Sequence, residues 1–208
     1  NGYQGDYVRT RATELRAIDG ERFRRDAAAV LERLPEAADG DEDAIEIRMD
    51  ALIARAKALL GEDFDHLTRF VLERQVEEIR DVLSRFGVHF DLWYSERSLY
   101  ESGRVAQVLE VLDQAGHLYT QDGARWFRST AFGDDKDRVV QRENGLFTYF
   151  ASDIAYHHDK FQRGFDQVID VWGADHHGYI ARVKGAITAS GTDADRLVVP
   201  LIQLVALF

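Results

Sequence analysis

The densest group of chemically capable residues is the segment DVWGADHHGY, residues 170–179. An apolar strand is predicted to end here and a helix to begin, and parallel α/β sheets bind ligands at such junctions because backbone N–H groups at a helix start are unpaired. Gly173 would let a ligand approach the backbone closely. Asp175 or His176 could bond a ribose hydroxyl. The alternative is that Asp175 only caps the helix.

A second candidate is the segment FTYFASDIAY, residues 147–156. Tyr149 and Asp153 are four residues apart and would share one face of a helix. A carboxylate beside a phenol is a plausible site for a cationic group, since Asp accepts a guanidinium in fork-to-fork geometry and an aromatic ring adds to it. The alternative is a core Tyr149 with Ser152 or Asp153 as a helix cap.

Neighbouring histidines suggest a metal, and a metal-dependent phosphohydrolase is therefore the competing hypothesis. It would use His157, His158, Asp159, Asp175 and His176. Adjacent helical residues point about 100° apart, however, and do not make a natural chelate. The familiar helical zinc spacing is His at i and i+4. We therefore expect no metal site.

Two further segments combine polar and aromatic residues. Residues 126–137, WFRSTAFGDDKD, could form a phosphate or metal loop, but a tight turn rich in internal charge pairs is the favoured interpretation. Residues 90–100, FDLWYSERSLY, alternate aromatic and polar side chains and suit a partly exposed surface, with structural and functional interpretations equally open.

Composition and missing motifs exclude several classes. The 208 residues carry a net charge of −11, which argues against broad, non-specific coating of nucleic acid. The chain has no cysteine, so disulfides and thiolate metal sites are unavailable. It contains no phosphate-binding P-loop, no Gly-x-Ser-x-Gly elbow and no His-Glu-x-x-His motif, which removes the main support for common NTPases, hydrolases and metalloproteases. No signal peptide is visible, and the longest apolar run is too short to cross a bilayer.

Helices must dominate the first part of the chain. Apolar residues at three- and four-residue steps and flanking Gly and Pro predict helices over Tyr3–Ala17, Glu21–Leu34, Glu42–Leu60 and Asp63–Phe86. A further helix is predicted from Ser102 or Gly103 until Gly116 stops it.

Strands are predicted later in the chain. Alternation predicts a strand over Val88–Tyr94, and turn signals at 121–123 and 143–145 separate strands predicted over His117–Gln121, Arg125–Ser129 and Asp137–Arg142. A helix from Ala151 then precedes a strand (Gln167–Trp172), a helix (Asp175–Ser190) and a strand (Leu197–Leu207), an alternation that favours a parallel sheet. The boundaries between these parts of the chain are predicted near Phe86 and near Thr148.

At these segments the chain resembles a known family. DVWGADHHGYIARVK, FDLWYSERSLYESGRV, WFRSTAFGDDKDRVV and TYFASDIAYHHDKFQRGFD are similar to segments of bacterial arginyl-tRNA synthetases and occur in the family's order. The resemblance implies an α/β fold: a partial Rossmann-type class I synthetase catalytic domain with a helical portion and a small strand-rich insertion. Its expected parts are a mainly helical part (1–87), a strand-rich insertion (88–148) and Rossmann-type strand–helix units (149–208).

The resemblance also implies an activity. The family activates L-arginine with ATP and Mg²⁺ to arginyl-adenylate, then transfers the arginyl group to the 3′-terminal adenosine of tRNA(Arg). Tyr149, Asp153 and His176 are expected to bind arginine, and Gly173, Asp175 and His176 to contact the ATP ribose. His157, His158 and His177 are expected to be packing or surface residues.

The family's HIGH-type and KMSKS-type motifs are missing from these 208 residues, and both ends look cut. The expectation is thus an internal piece with specificity residues but no catalytic residues, inactive alone, from a cytoplasmic enzyme. It would have no tightly bound cofactor, membrane contact or protein partner. A non-catalytic, synthetase-like binding module is the other alternative.

Overall fold

The structure, a computed structural model, describes residues 5–38, 40–203 and 205. The chain divides into two compact units, with the boundary between Asp91 and Leu92. In the described part of the chain, no helix combines the length and apolar character needed to span a membrane.

The first unit is helical, as predicted. Its helices are α1 (Asp6–Asp19), α2 (Ala27–Leu31), α3 (Glu42–Leu60) and α4 (Asp63–Arg85). The α3 helix begins after Asp41, whose carboxylate accepts a hydrogen bond from the N–H of Ala44 at 3.0 Å. Gly61, with a φ of 57°, ends it.

The prediction of one helix over Glu21–Leu34 is wrong in extent. The carboxylate of Asp26 accepts hydrogen bonds from Ala28 and Ala29, so Asp26 caps a new helix at a point where the pattern predicted a helix interior. That helix stops at Leu31, and Arg33 takes a positive φ of 58°. A local side-chain bond thus overrides the apolar spacing.

The strand predicted over Val88–Tyr94 is also wrong. The segment is irregular, and Phe90 and Leu92 are largely exposed. Alternating apolar residues form a strand only where another strand can pair with them. In the described residues no strand pairs with this segment.

The second unit begins with helices and a small antiparallel sheet. Two helices, α5 (Arg97–Glu101) and α6 (Arg104–Gln114), precede β1 (Leu118–Gln121), β2 (Ala124–Phe127) and β3 (Arg138–Gln141), which pair in the order β1-β2-β3. The predicted turn between β1 and β2 is confirmed, because Asp122 and Gly123 both have positive φ, 50° and 77°. A short 3₁₀ helix, Ser129–Phe132, lies between β2 and β3.

The remainder of the second unit alternates helices and short parallel strands, as predicted. It contains α7 (Tyr149–Gln162), β4 (Val168–Ile169), β5 (Trp172–Gly173), a 3₁₀ helix (Ala174–Tyr179), α8 (Ile180–Ala189), a further 3₁₀ turn (Ala194–Arg196), β6 (Leu197–Val198) and β7 (Leu201–Ile202). Strand β4 pairs in parallel with β6, and β5 with β7.

Three predicted elements in this region need correction. The predicted strand Gln167–Trp172 is two short strands, β4 and β5, with Asp170 and Val171 between them. The predicted helix Asp175–Ser190 is a 3₁₀ helix followed by α8, and the predicted strand Leu197–Leu207 is two short strands separated at Pro200. Proline has no N–H to donate to a sheet, which interrupts the strand there. Leu204 and residues 206–208 lie outside the described residues.

Two apolar clusters hold the second unit together. The larger joins Val108 and Leu112 of α6 to Phe127 of β2 and Ile154 of α7. The smaller packs Val168 of β4 and Leu197 of β6, with other apolar side chains, under α8. Because α7 contributes to the first cluster with its N-terminal half and to the second through Phe161, burial fixes its position.

Candidate functional site

Thr148 sets the start of α7 and hence the position of Asp153. Its hydroxyl accepts a hydrogen bond from the N–H of Ala151 at 3.4 Å and donates one to the carbonyl of Val139 at 2.8 Å. The helix therefore starts at a point tied to β3. Because Thr148 is the cap, the alternative interpretation of Ser152 or Asp153 as a cap is wrong.

Asp153 is half-buried and lines a small cavity in the second unit. The cavity has a volume of about 170 Å³, and its other lining residues are Tyr94, Glu96, Leu99, Ser152 and Tyr156. The rings of Tyr94 and Tyr156 stack with centroids 4.7 Å apart. Two carboxylates and two aromatic rings thus surround one space.

Neutral hydroxyls hold both carboxylates of this cavity. The hydroxyl of Tyr179 donates to Oδ2 of Asp153, and the hydroxyl of Ser152 donates to Oε1 of Glu96 at 2.6 Å. Over the described residues, no basic side chain forms an ion pair with Asp153 or Glu96. Neither carboxylate therefore has an ion-pair partner, and Lys160 acts on Asp153 only through space, so both carboxylates can accept hydrogen bonds from a cationic ligand.

Burial changes the acidity of both members of the Tyr179–Asp153 pair. Desolvation raises the pKa of the Asp153 carboxyl above its ordinary value, although the Tyr179 hydrogen bond opposes that rise. Burial, and then the hydrogen bond to Asp153, raise the pKa of the Tyr179 phenol. Tyr179 is therefore a neutral donor at physiological pH, and Asp153 is the acceptor.

The structure does not bring Tyr149 into the same position. Tyr149 is the first residue of α7, and 83% of its surface is exposed. The expected hydroxyl beside Asp153 is supplied by Tyr179 instead. Tyr149 and Asp153 are both in α7, four residues apart, as predicted. Tyr149 is the first residue of that helix, however, and its ring is exposed and not packed in the core.

Tyr179 and Glu96 were not among the site residues expected from sequence. Tyr179 was visible as the last residue of the DHHGY cluster, but 26 residues separate it from Asp153, and no spacing rule connects them. Glu96 lies in the aromatic and polar segment 90–100, whose pattern is compatible with a structural and with a functional role. The signal that could have found it was a lone acidic residue between tyrosines.

Gly173, Asp175 and His176 lie together where β5 meets the 3₁₀ helix. A Cβ on Gly173 would lie 2.4 Å from Oδ1 of Asp175, so the carboxylate folds over the glycine. Nδ1 of His176 lies 3.2 Å from Asp175 Oδ1, and both side chains are exposed. Asp175 caps neither the 3₁₀ helix nor α8, so the capping alternative is wrong.

A charged cleft of about 610 Å³ adjoins this junction. It lies between the loop from Gly133 to Arg138 and the segment from Asp175 to Arg182. The acidic residues of the segment 126–137 pair with an arginine just beyond it: Arg138 pairs with Asp134 at 2.8 Å and with Asp135. Arg182 of α8 also pairs with Asp134, at 3.1 Å.

His157 and Asp159 of α7 have structural partners, whereas the buried Nδ1 of His158 has no hydrogen-bond partner among the described residues. Nδ1 of His157 lies 2.7 Å from the carbonyl of Asp153, and its Nε2 lies 2.7 Å from Oδ2 of Asp170. Asp159 is buried and pairs with Arg104 at 2.6 Å. Within residues 5–38, 40–203 and 205, no group of three His, Asp or Glu side chains is arranged to hold a metal ion.

Comparison with known proteins gives relatives along the whole chain. The chain is 56% identical over 214 residues to the arginine–tRNA ligase of Dechloromonas aromatica and 55% identical over 215 residues to that of an Azoarcus strain. These matches cover all of this chain but 36% and 37% of the relatives, so the chain spans little more than a third of their length. No protein-family model matches it.

Solved structures of arginyl-tRNA synthetases share the fold. One from Campylobacter jejuni superposes with a TM-score of 0.68 at 30% identity, covering 95% of this chain and 42% of that one. The Plasmodium falciparum enzyme gives a TM-score of 0.64 at 16% identity over 88% of this chain and 33% of that one, and so supports the fold alone. This chain is homologous over its whole length to a region of the bacterial arginyl-tRNA synthetases.

Proposed function

We propose that this chain is the arginine-recognising part of an arginine–tRNA ligase. The observation that carries the proposal is the 170 Å³ cavity in which Asp153 and Glu96 lack a basic partner beside two stacked tyrosine rings. A guanidinium is planar, always charged and able to bond two carboxylates at once, and it also packs well against aromatic faces. The homology supports arginine as the bearer of that group.

In this proposal Asp153 is the charge that recognises the substrate. Its half-buried carboxylate loses hydration on folding, and a guanidinium replaces the lost interactions with charge-assisted hydrogen bonds. Glu96 adds a second charge at the cavity. Tyr149, exposed at the start of α7, is the more peripheral candidate for the same substrate.

Gly173, Asp175 and His176 are proposed to contact the ATP ribose, with His176 also near the bound arginine. The support is their position, where a parallel strand ends and a helical segment starts, and the exposure of both polar side chains. ATP, used with Mg²⁺, and tRNA(Arg) are the other proposed substrates. We place the reaction in the cytoplasm, where tRNA and ATP are available.

A chimera tests the proposal. The matching region of the Dechloromonas aromatica ligase would be replaced by this chain, and arginine-dependent ATP–pyrophosphate exchange measured with tRNA present. We expect exchange with L-arginine and none with L-citrulline, whose side chain has nearly the same shape but no charge. A folded chimera that binds ATP but not arginine would reject the proposal in favour of a non-catalytic binding module.

The phosphohydrolase hypothesis has no comparable support. Two of its proposed ligands are bonded to other residues, since His157 bonds Asp170 and Asp159 pairs with Arg104. Asp175 and His176 lie on a different element, the 3₁₀ helix after β5.

A further inference from the structure

The carboxylate of Asp153 is held by a side chain from another element. Tyr179, the last residue of the 3₁₀ helix, donates its hydroxyl to Asp153 in the middle of α7. The phenol ring packs edge-on against Phe150 with centroids 6.2 Å apart and tilted against Trp172 at 5.9 Å. These two contacts restrict the Tyr179 ring, and a third group packs against its face.

That third group is Arg182. Its guanidinium carbon lies 4.7 Å from the centroid of the Tyr179 ring and 5.8 Å from that of Phe150. A guanidinium stacked on an aromatic face stabilises the ring where it is and gains from the ring's negative face. Arg182 therefore covers the ring whose hydroxyl bonds Asp153.

Asp134 in turn fixes Arg182. Its carboxylate is 5% exposed and accepts a hydrogen bond from Nε of Arg182 at 3.1 Å. Arg138 holds the same carboxylate with two hydrogen bonds of 2.8 Å, from Nε and Nη2. A buried acceptor bonded by two arginines has one available orientation, so it determines where Arg182 can place its guanidinium.

The loop that carries Asp134 is itself anchored. The N–H and hydroxyl of Thr130 both donate to Oδ1 of Asp137, at 3.1 and 2.7 Å. The hydroxyl of Ser129 donates to the carbonyl of Lys136 at 2.9 Å. Asp134 is thus presented to Arg182 from a rigid turn.

We propose that Asp134 is a positioning residue for Asp153, acting through Arg182 and the Tyr179 ring. The inference rests on the proposed function in which Asp153 contacts the substrate. Asp134 itself lies outside the cavity that Asp153 lines. Its role is to keep Arg182 over Tyr179, and thereby to keep the Tyr179 hydroxyl on the recognition carboxylate.

The direction in which the titration midpoint of Asp153 shifts distinguishes a positioning role of Asp134 from a simple effect of its charge. If Asp134 acted only by its charge, removing that charge would make Asp153 easier to ionise and lower its titration midpoint. Releasing Arg182 and the Tyr179 ring would weaken the hydrogen bond to ionised Asp153 and raise that midpoint. The other charged or titratable groups that influence Asp153 are Glu96, His157 and Lys160, and none of them is changed.

The experiment is a ¹³C NMR titration of the Asp153 carboxyl in the whole 208-residue chain. Tyr179→Phe should raise the midpoint by about one pH unit, and Asp134→Asn should raise it in the same direction by less. Arg182→Lys keeps the charge but loses the Nε–H donor and the flat stack, and should reproduce the effect of Asp134→Asn.

The matched control is Asp135→Asn, the same chemical change at the neighbouring residue. The Asp135 carboxylate is exposed and pairs with Arg138, so only the through-space effect should appear. A midpoint that falls or stays constant in Asp134→Asn while it rises in Tyr179→Phe would overturn the positioning role. The titration needs no ligand, so it decides this role even if Asp153→Asn leaves arginine binding unchanged and the proposed function fails.

Discussion

The hydroxyl of Tyr179 donates its hydrogen bond to Oδ2 of Asp153, joining the end of a 3₁₀ helix to the middle of α7. The donor stays protonated because its pKa is raised by burial and by the carboxylate that it faces. A half-buried carboxylate is thereby kept in one orientation beside a cavity that contains no basic side chain. Such an arrangement costs stability and is suited to binding a cation.

Asp153→Asn is predicted to make the 208-residue chain more stable at neutral pH. The pKa of Asp153 is higher in the folded than in the unfolded chain, so its ionisation opposes folding. That penalty is fully present above the folded-state pKa and absent below the ordinary range of Asp, about 4. Urea denaturation should show the stabilising difference at pH 7 and a smaller one near pH 4. A variant that is less stable at pH 7 would contradict this prediction.

His157→Ala is predicted to destabilise the chain by about 3 kcal/mol, because it leaves a cavity and removes a buried hydrogen bond to the Asp170 carboxylate. His157 and Asp170 are 5% and 9% exposed, and Lys160 also bonds Asp170, at 2.6 Å. Urea denaturation at pH 7 measures the change in the free energy of unfolding. The control is His177→Ala, an exposed histidine whose loss should cost no more than about 0.5 kcal/mol. Equal effects of the two variants would argue against a buried pair.

The same pair predicts a loss of stability in acid. Burial by itself would raise the pKa of Asp170, but the hydrogen bonds from His157 and Lys160 outweigh it and the pKa lies below its ordinary value. The stability that Asp170 contributes is therefore present above about pH 4 and is lost as the pH falls through the lower folded-state pKa. The difference in unfolding free energy between wild type and Asp170→Asn should shrink over that window. A difference independent of pH would contradict the prediction.

Two glycine-to-alanine substitutions are predicted to differ in how much they destabilise the chain. In Gly185→Ala the new Cβ would lie 2.7 Å from Cβ of Phe132, inside a packed core, and should cost about 1–3 kcal/mol. In Gly173→Ala the conflict is with the exposed carboxylate of Asp175, which can rotate away, so the cost should stay within about 0.5 kcal/mol. Urea denaturation of both variants tests this order, and the reverse order would refute it.

Local chemistry explains which elements the sequence could predict. The turn at Asp122 and Gly123 was predictable because a tight hairpin turn has positive φ at both central residues, and Asp followed by Gly is one of the few residue pairs that favour this conformation. Alternation over Val88–Tyr94 did not produce a strand because a strand also needs a partner, and among the described residues no strand pairs with this segment. The candidate site divides the same way: Asp153 followed from helical spacing, whereas Tyr179 and Glu96 reach it through tertiary packing.

The affinity of the chimera for L-arginine, with and without Asp153→Asn, tests the central claim most directly. Loss of a charge-assisted contact to the guanidinium should cost about 2–5 kcal/mol, which weakens arginine binding by roughly 30-fold or more. Asp166→Asn makes the same chemical change on an exposed residue outside the cavity and should leave the dissociation constant unchanged. Calorimetric titration that finds the same arginine affinity in wild type and Asp153→Asn would remove Asp153 from the site and contradict the account.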